Sequence, residues 1–297
     1  MTQAPPTSAG APADAGWISV VIATRDRADS LAASLESWMA LGDDPSWDLI
    51  VVDDGSRDDT PGVLDRWADR LGARLTRVRT TGLGLGGARN AGWTKAAGGL
   101  ILFTDDDCHP APDLLGAIRT CLADGSWSFL GGRLLPHSPE DAGIAVVTRT
   151  NRVEIAGPTF VAAGLLPGAN LTVARKALVA VGGFDAEFGA GTPFAAEDVE
   201  LVARLAASGR RGGYDPRPVV FHHHQRRTEA SRASLDLAYD RGRGAYYAKC
   251  LLDPRLRWRY LRAWAARAWR GSWRRTGREV AGAMAYWTRR PRPERSA

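Results

Sequence analysis

The amino-acid sequence predicts an α/β fold: a Rossmann-like, mostly parallel sheet with flanking helices, followed by a basic helical C-terminal tail. Apolar, β-branched runs of strand length alternate with helical segments through residue 104, which is the pattern of right-handed βαβ units. Polar clusters directly follow three of these runs, at the strand ends where doubly wound sheets bind ligands. The length of 297 residues and the hydrophobic content of 44% suffice for one large domain of this class.

The first part of the chain contains four predicted strands and three predicted helices. The strands cover residues 17–24, 49–52, 74–79 and 100–104. One helix begins after Asp29, and the other two cover about 60–71 and 87–97. Asp29 is expected to cap the first of these helices. After residue 125 the alternation weakens, but strands are expected at 128–135 and 215–221. An amphipathic helix is expected at 196–208, where Gly209 ends it.

Composition indicates where the protein works. Residues 1–16 are rich in Pro, Ala, Ser and Thr, which predicts a disordered leader rather than a signal peptide. The chain contains no run of about 18 apolar residues, so no membrane-spanning helix is expected. Three cysteines without a CxxC pair favour a reducing compartment and exclude a zinc ribbon. We therefore expect a cytoplasmic protein, with contact to the cytoplasmic face of a membrane left open.

Charge is distributed unevenly along the chain. Residues 250–297 carry 13 arginines against three acidic residues, hence +10, which leaves −4 for the rest of a chain whose net charge is +6. The sequence thus predicts a mildly acidic domain with a strongly basic tail. Because the excess positive charge is confined to the tail, the global charge does not by itself indicate nucleic-acid binding, and none is expected.

Three adjacent carboxylates, Asp105, Asp106 and Asp107, follow the fourth predicted strand. Carboxylates this close repel one another unless a cation lies among them, and hard oxygen ligands favour Mg²⁺ or Mn²⁺. A solvated acidic turn is the alternative. The position at a strand end, in line with Asp53 and Asp54 after the second strand, favours the metal site.

A glycine-rich turn and an acidic helix start supply further candidates. Residues 82–92 formally contain GxGxxG, but not after the first strand as a dinucleotide site requires. The better interpretation is a turn into a helix that presents Arg89, either to a ligand or to solvent. Glu197 and Asp198 begin the helix expected at 196–208; a carboxylate there can act as a general base or simply stabilise the helix dipole.

A histidine run, residues 222–224, ends the last predicted strand and holds three of the five histidines in the chain. In an extended segment His222 and His224 share a face. Neutral imidazole is a good metal ligand, so these two are metal candidates. The alternative is a solvated turn.

Taken together, the motifs resemble inverting family 2 glycosyltransferases with a GT-A fold. The matching segments, in family order, are residues 19–27, 51–60, 86–92, 103–115, 168–185, 196–201 and 222–228. The resemblance spans about residues 17–245. It implies a nucleotide-sugar-binding half at 17–125 and an acceptor-binding half at 126–248, and leaves 249–297 as the basic tail. The family often has Pro and Asn where this chain has Ala23 and Asp26.

The resemblance implies a role for each matched donor-site residue. Nucleotide-sugar binding is implied for Ala23, Thr24, Arg25, Asp54, Arg89, Asp105, Asp106, Gly168, Ala169 and Asn170. Within this set, Asp54 would bond the uracil imide and Arg89 would contact the base. A UDP-sugar donor follows, with UDP-GlcNAc and UDP-glucose both open.

The resemblance also implies the metal ligands and the catalytic pair. Asp107 would hold Mn²⁺ or Mg²⁺ on the diphosphate, joined by His222 as first choice or His224 as second. Asp198 would deprotonate the acceptor hydroxyl, beside Glu197 on the acceptor side. Direct displacement then inverts the anomeric centre, with Arg226 and Arg227 expected to close over the diphosphate. No motif identifies the acceptor.

Two other classes compete with this interpretation. A sugar-1-phosphate nucleotidyltransferase shares the architecture but needs a GGxGTR-type segment after the first strand, where this chain has IATRDR at 22–27. A non-enzymatic membrane or nucleic-acid adaptor would use the basic tail. The intact DDD, ED and histidine motifs argue for an enzyme.

The tail itself is expected to form a continuous helix over about 264–287. One side would carry Trp269, Trp273, Val280, Met284 and Trp287, and the other Arg267, Arg270, Arg274 and Arg278. Such a segment either lies on an anionic membrane surface or packs its tryptophans on the domain or on a second subunit of a homodimer.

Overall fold

The computed structural model describes residues 16–42, 44–141, 145–224 and 229–289. Apart from Gly16, the leader expected at 1–16 lies outside the described residues, as do Arg226 and Arg227. The fold over the described ranges is a mixed α/β structure in which one twisted sheet separates two apolar layers.

The described residues form one nine-stranded sheet. Its strands are β1 (Ile18–Thr24), β2 (Trp47–Asp53), β3 (Leu75–Arg79), β4 (Leu100–Asp105), β5 (Cys108–Pro110), β6 (Phe129–Pro136), β7 (Val153–Ala156), β8 (Leu171–Ala174) and β9 (Arg211–His222). The spatial order is β3-β2-β1-β4-β8-β6-β9-β5, and β7 pairs with β9.

Helices cover both faces of this sheet. They are α1 (Ala28–Met39), α2 (Thr60–Leu71), α3 (Gly84–Trp93), α4 (Leu114–Leu122), α5 (Arg175–Val181), α6 (Glu197–Ala207), α7 (Glu229–Leu252), α8 (Arg257–Arg270) and α9 (Trp273–Arg289). Arg27, not Asp29, occupies the cap position of α1. Asp29 lies within the first turn, where its charge favours the helix dipole.

The first four strands explain why the sequence shows continuous apolar runs. β3, β2, β1 and β4 are mutually parallel, as predicted. Their side chains alternate between the two faces, so Val21 and Phe103 lie in one core with α3 and α6, whereas Val20 and Leu102 lie in the other with α1, α2 and α4. Burial on both sides keeps β1, β2 and β4 apolar over most of their length. The buried Ser19 of β1 is an exception, and it hydrogen-bonds Asp48 of the neighbouring strand.

The second half adds antiparallel strands that the sequence did not predict. β8 runs antiparallel to both β4 and β6 and joins the two halves of the sheet. β9 runs parallel to β6, while its first residues pair with β7 and its last with β5. β5, β7 and β8 have three or four residues each, too few to give a periodic signal.

The C-terminal helices pack on the domain, and the tail helix is not continuous. Gly271 and Ser272 separate α8 from α9, because glycine weakens a helix at that point. Tyr260 and Tyr286 are buried in the same core as α6 and α7. The domain boundary expected at 248/249 falls inside α7. Within the described ranges, no helix is long and apolar enough to span a bilayer.

Candidate active site

The acidic turn after β4 distributes its three carboxylates among different partners. The turn lies between β4 and β5, at the carboxyl end of the parallel strands. Asp105 pairs with Arg89, Asp106 with Thr24 and Arg27, and Asp107 with Arg27 and His222. The three side chains therefore do not form one solvated acidic patch, because each has a partner inside the protein.

Four side chains in this turn and in β9 are close enough to share a metal ion. One ligand atom from each of Asp105, Asp107, Cys108 and His222 lies within 4.8 Å of the others. The antiparallel pairing of β5 and β9 sets Cys108 directly opposite His222, which brings His222 Nε2 to 3.2 Å from Asp107 Oδ1. Burial alone would lower the pKa of His222, but the hydrogen bond and charge of Asp107 raise it above its usual value.

The donor chemistry of this cluster fits Mn²⁺ or Mg²⁺. The Cys108 thiol is a soft donor, which Mn²⁺ and Mg²⁺ do not favour, and burial raises its pKa well above its usual value. Two carboxylates and one imidazole remain, a hard oxygen-rich set. Of the two histidines expected at the metal, the structure brings only His222 into the cluster. His224 is buried, with its Nε2 bonded to the Asp141 carbonyl at 3.0 Å.

Arg27 is a site residue that the sequence motifs did not identify. Its guanidinium bridges two carboxylates, with Nε 2.8 Å from Asp106 Oδ1 and one terminal nitrogen 2.6 Å from Asp107 Oδ2. Thr24 donates a further hydrogen bond to Asp106, at 2.6 Å. Burial raises the pKa of Asp106 to about 7 although Arg27 opposes the shift. Arg27 thus supplies positive charge where the carboxylates converge.

Arg89 lies inside the protein rather than on a base-binding surface. It is only 1% exposed and bonds Asp105 Oδ1 at 2.8 Å, Glu197 Oε1 at 3.0 Å and the Gly168 carbonyl at 3.1 Å. The expected contact between Arg89 and a base does not fit this position, because α3 directs the side chain inward between two carboxylates. Arg89 instead connects the acidic turn to the start of α6.

The start of α6 presents the two carboxylates expected to be catalytic. Ala196, just before the helix, has φ of 91°, a conformation that L-residues rarely adopt outside functional sites. Asp198 Oδ2 accepts the Gly168 amide at 2.9 Å, and Oδ1 accepts the Val199 amide at 2.7 Å. Burial raises the pKa of both carboxyls, that of Glu197 to about 7 with Asp198 adding repulsion. A carboxyl with a pKa near neutrality is suited to proton transfer at physiological pH.

Asp54 organises the glycine-rich turn. Its Oδ1 accepts Thr80 Oγ1 at 2.5 Å and the Gly82 and Leu83 amides, and its Oδ2 accepts the Gly84 amide at 2.8 Å. Gly82 and Gly84 have φ of 89° and 75°, which explains why glycine occupies both positions. A contact between Asp54 and a uracil imide would have to use the lone pairs that remain on Oδ2.

The remaining donor-site candidates lie at two places along the same edge. Ala23 is opposite Asp105 across the β1–β4 ladder, and Arg25, half-exposed, lies beside Gly82. Gly168–Asn170 form a 3-10 turn before β8. In that turn Asn170 donates to the carbonyls of Arg133 and Pro218, so its amide joins β6 to β9.

Comparison with known proteins agrees with this architecture. Residues 19–148 match the family model "Glycosyl transferase family 2". An uncharacterized Escherichia coli glycosyltransferase, YaiP, is 28% identical over 218 residues, covering 69% of this chain and 52% of that protein. A PGL/p-HBAD biosynthesis glycosyltransferase of Mycobacterium bovis is 35% identical over 141 residues, or 46% of this chain and 50% of that protein. The chain thus spans about half the length of these relatives.

Two solved structures share this fold. The mannosyltransferase PcManGT from Pyrobaculum calidifontis, solved with GDP-Man and Mn²⁺, has a TM-score of 0.65 at 21% identity, covering 93% of this chain and 76% of that one. Staphylococcus aureus TarS 1–349, solved with UDP-GlcNAc, has a TM-score of 0.64 at 14% identity, covering 90% and 79%. At these identities the likeness is one of fold.

Proposed function

We propose that the chain, whose residues 19–148 match glycosyl transferase family 2, transfers a sugar from a UDP-sugar to an acceptor hydroxyl by metal-dependent, inverting displacement. One observation carries the proposal: Arg89 and Gly168 connect the acidic turn after β4 to Glu197 and Asp198. Residues up to 108 positions apart in the sequence meet in this network. This connection supports the proposal, because displacement at a sugar carbon requires a metal-binding set and a base held in fixed positions relative to each other.

Asp105, Asp107 and His222 would hold the divalent ion. When bound, such an ion neutralises the charge that develops on a departing nucleoside diphosphate. Arg27 lies beside the same carboxylates, so its guanidinium can turn from Asp107 towards a diphosphate oxygen. Fork-shaped guanidinium groups bind phosphate oxygens well.

Asp198 is our choice of base over Glu197. Glu197 is paired with the buried Arg89, so its carboxylate already has a charged partner inside the protein. Asp198 accepts only backbone amides in the described contacts, which fix its orientation. We propose that Asp198 takes the proton of the acceptor hydroxyl as that oxygen attacks the anomeric carbon from the face opposite the diphosphate. An α-linked donor then gives a β-linked product.

The donor can be identified without the acceptor, because slow hydrolysis still releases the nucleotide. We would measure nucleoside diphosphate release from UDP-GlcNAc, UDP-glucose and GDP-mannose with Mn²⁺, with Mg²⁺ and with EDTA. The proposal predicts release from a UDP-sugar, dependence on the metal, and recovery when metal is restored after EDTA. Full activity in EDTA, or release only from GDP-mannose, would contradict it. Formation of a nucleotide-sugar and pyrophosphate from UTP and a sugar 1-phosphate would assign a nucleotidyltransferase.

A further inference from the structure

The C-terminal helices use one side to pack on the domain and leave another side bare. Tyr260 of α8 and both Ala283 and Tyr286 of α9 are buried in the main core. Trp264 is half-buried and donates to the buried Glu279 at 2.9 Å. These contacts hold α8 and α9 against α7, so the helices are parts of the folded domain rather than a separate tail.

The outer side of α8 carries an exposed apolar stripe. Trp258, Leu261, Ala265 and Trp269 recur at intervals of three and four residues, which places them on one side of the helix. Trp258 is 68% exposed and Trp269 is 91% exposed. Neither tryptophan therefore belongs to the core that holds the opposite side of α8.

A second exposed stripe lies on α9. Trp273, Val280, Met284 and Trp287 are separated by seven, four and three residues, so they also share one side. Trp273 is 91% exposed, and the other three are exposed as well. This outcome differs from the expectation that the tryptophans pack on the domain: tyrosines and alanines pack there, and the tryptophans face outward. We call the two stripes together the Trp surface.

Exposed arginines flank the Trp surface. Asp253 and Glu279, the acidic residues of 250–289, already form ion pairs with arginines. Among the described residues, no carboxylate lies within ion-pair distance of the exposed Arg257, Arg259, Arg262, Arg270 or Arg274. The surface is thus strongly cationic as well as apolar.

We propose that the Trp surface docks on an anionic lipid surface. Tryptophan and leucine side chains enter the boundary between head groups and acyl chains, while the arginines meet anionic head groups. A second copy of the chain fits less well, because a two-fold interface sets each patch against itself and would oppose arginine to arginine. The proposal goes beyond the sugar transfer proposed above and does not depend on it.

Sedimentation of the full-length protein with vesicles tests the proposal. We expect binding to phosphatidylcholine vesicles that contain phosphatidylglycerol, little binding to phosphatidylcholine alone, and weakening as salt rises. Arg262→Gln/Arg270→Gln/Arg274→Gln should reduce the partition coefficient roughly 10²-fold, at about a factor of five for each arginine. Trp269→Ser/Trp273→Ser should reduce it by at least about 10-fold. All of these side chains are exposed, so the melting temperature should not change.

Matched controls change charge and apolarity elsewhere on the surface. Arg66→Gln/Arg70→Gln/Arg77→Gln removes the same charge from exposed ion pairs at α2 and β3, and Val179→Ser removes an exposed apolar side chain from α5. Both should bind vesicles like the wild type. Equal losses in test and control variants, or no binding to anionic vesicles at low salt, would overturn the proposal. So would a dimer that Trp269→Ser/Trp273→Ser dissociates, or retention on nucleic acid but not on vesicles.

Discussion

The acidic edge of the sheet and the basic C-terminal helices differ in whether their charged side chains are buried or exposed. At the edge, carboxylates from distant segments are buried and meet cations inside the protein, as Asp105 and Glu197 meet Arg89. On α8 and α9 most arginines stay in solvent. Burying charge is costly unless it is paired or binds a ligand. The edge therefore carries the free-energy cost of buried charge at the candidate site. The helices avoid this cost, and their arginines remain available to an external partner.

The helices also contain one buried charge cluster, and it shows what distinguishes a site from a structural ion pair. Glu279 is 1% exposed and accepts hydrogen bonds from Arg243, Trp264 and Arg267. This network closes on itself between α7, α8 and α9. The edge network instead ends at Asp107 and His222, a cluster arranged like a metal site. Burial and a shifted pKa therefore do not indicate a functional site unless atoms that can bind a metal ion also lie close together.

The largest effect should come from removing a carboxylate at the edge. Asp107→Ala should reduce turnover by about 10³-fold or more, because several kcal/mol of metal stabilisation are lost. The fold should persist, since Arg27 keeps Asp106 as partner. Turnover and Mn²⁺ binding by calorimetry check this, with Asp124→Ala, on an exposed loop, as control. Unchanged Mn²⁺ binding in Asp107→Ala would move the metal away from this cluster.

The next effect separates the two carboxylates of α6. Asp198→Asn should lower turnover about 10²–10⁴-fold and leave UDP-sugar affinity near that of the wild type. The asparagine oxygen can still accept the Gly168 amide, but its side-chain nitrogen cannot accept the Val199 amide, so the geometry is kept in part. Glu197→Gln should instead lower donor affinity, because Arg89 loses one charged partner. If Asp198→Asn retains turnover and Glu197→Gln abolishes it, Glu197 is the base.

The closed network in the helices should affect stability and not chemistry. Glu279→Ala removes the acceptor shared by Arg243, Trp264 and Arg267 and leaves Arg243 with Asp240 alone, which should cost about 3–5 kcal/mol in the free energy of unfolding. Glu154→Ala breaks an exposed pair with Arg211, and the free energy of unfolding should hardly change because solvent screens this pair. Chemical denaturation measures both. Equal costs for the two variants would contradict the contrast between buried and exposed pairs.

Much of the parallel half can be predicted from the sequence. β1, β2 and β4 are apolar because both of their faces are buried, and the helix predicted at about 60–71 coincides with α2. Acidic residues at strand ends identify the site edge because parallel strands end together. β5 and, in the second half, β8 are too short to give a pattern, and their antiparallel pairing depends on partners far along the chain.

Individual roles are harder to predict than the position of the site. Sequence analysis did not identify Arg27, because no local sequence pattern shows that α1 begins beside the acidic turn. Only the pairing of β1 with β4 places it there. The expectation that Arg89 faces a ligand fails because its burial depends on Glu197, 108 residues later. The expectation of a continuous tail helix fails because helical periodicity spans Gly271, and periodicity carries no information about a two-residue break.

The smallest expected effect is the pH dependence of stability caused by Glu197, a buried carboxyl at the acidic edge. The pKa of Glu197 is raised to about 7 in the folded protein and is near ~4.3 in an unfolded chain. Between these values the folded state binds more protons, so this group makes the protein less stable as pH rises.

The Glu197→Gln variant carries a neutral mimic of the protonated acid at this position. The stability of wild type relative to Glu197→Gln should therefore fall from about pH 4 to about pH 7, by at most about 1.4 kcal/mol per pH unit. Urea titrations of the metal-free proteins at stepped pH measure this difference. A difference that is flat or that rises over the window would mean that Arg89 keeps Glu197 ionised throughout, and the edge would then resemble the closed network of Glu279.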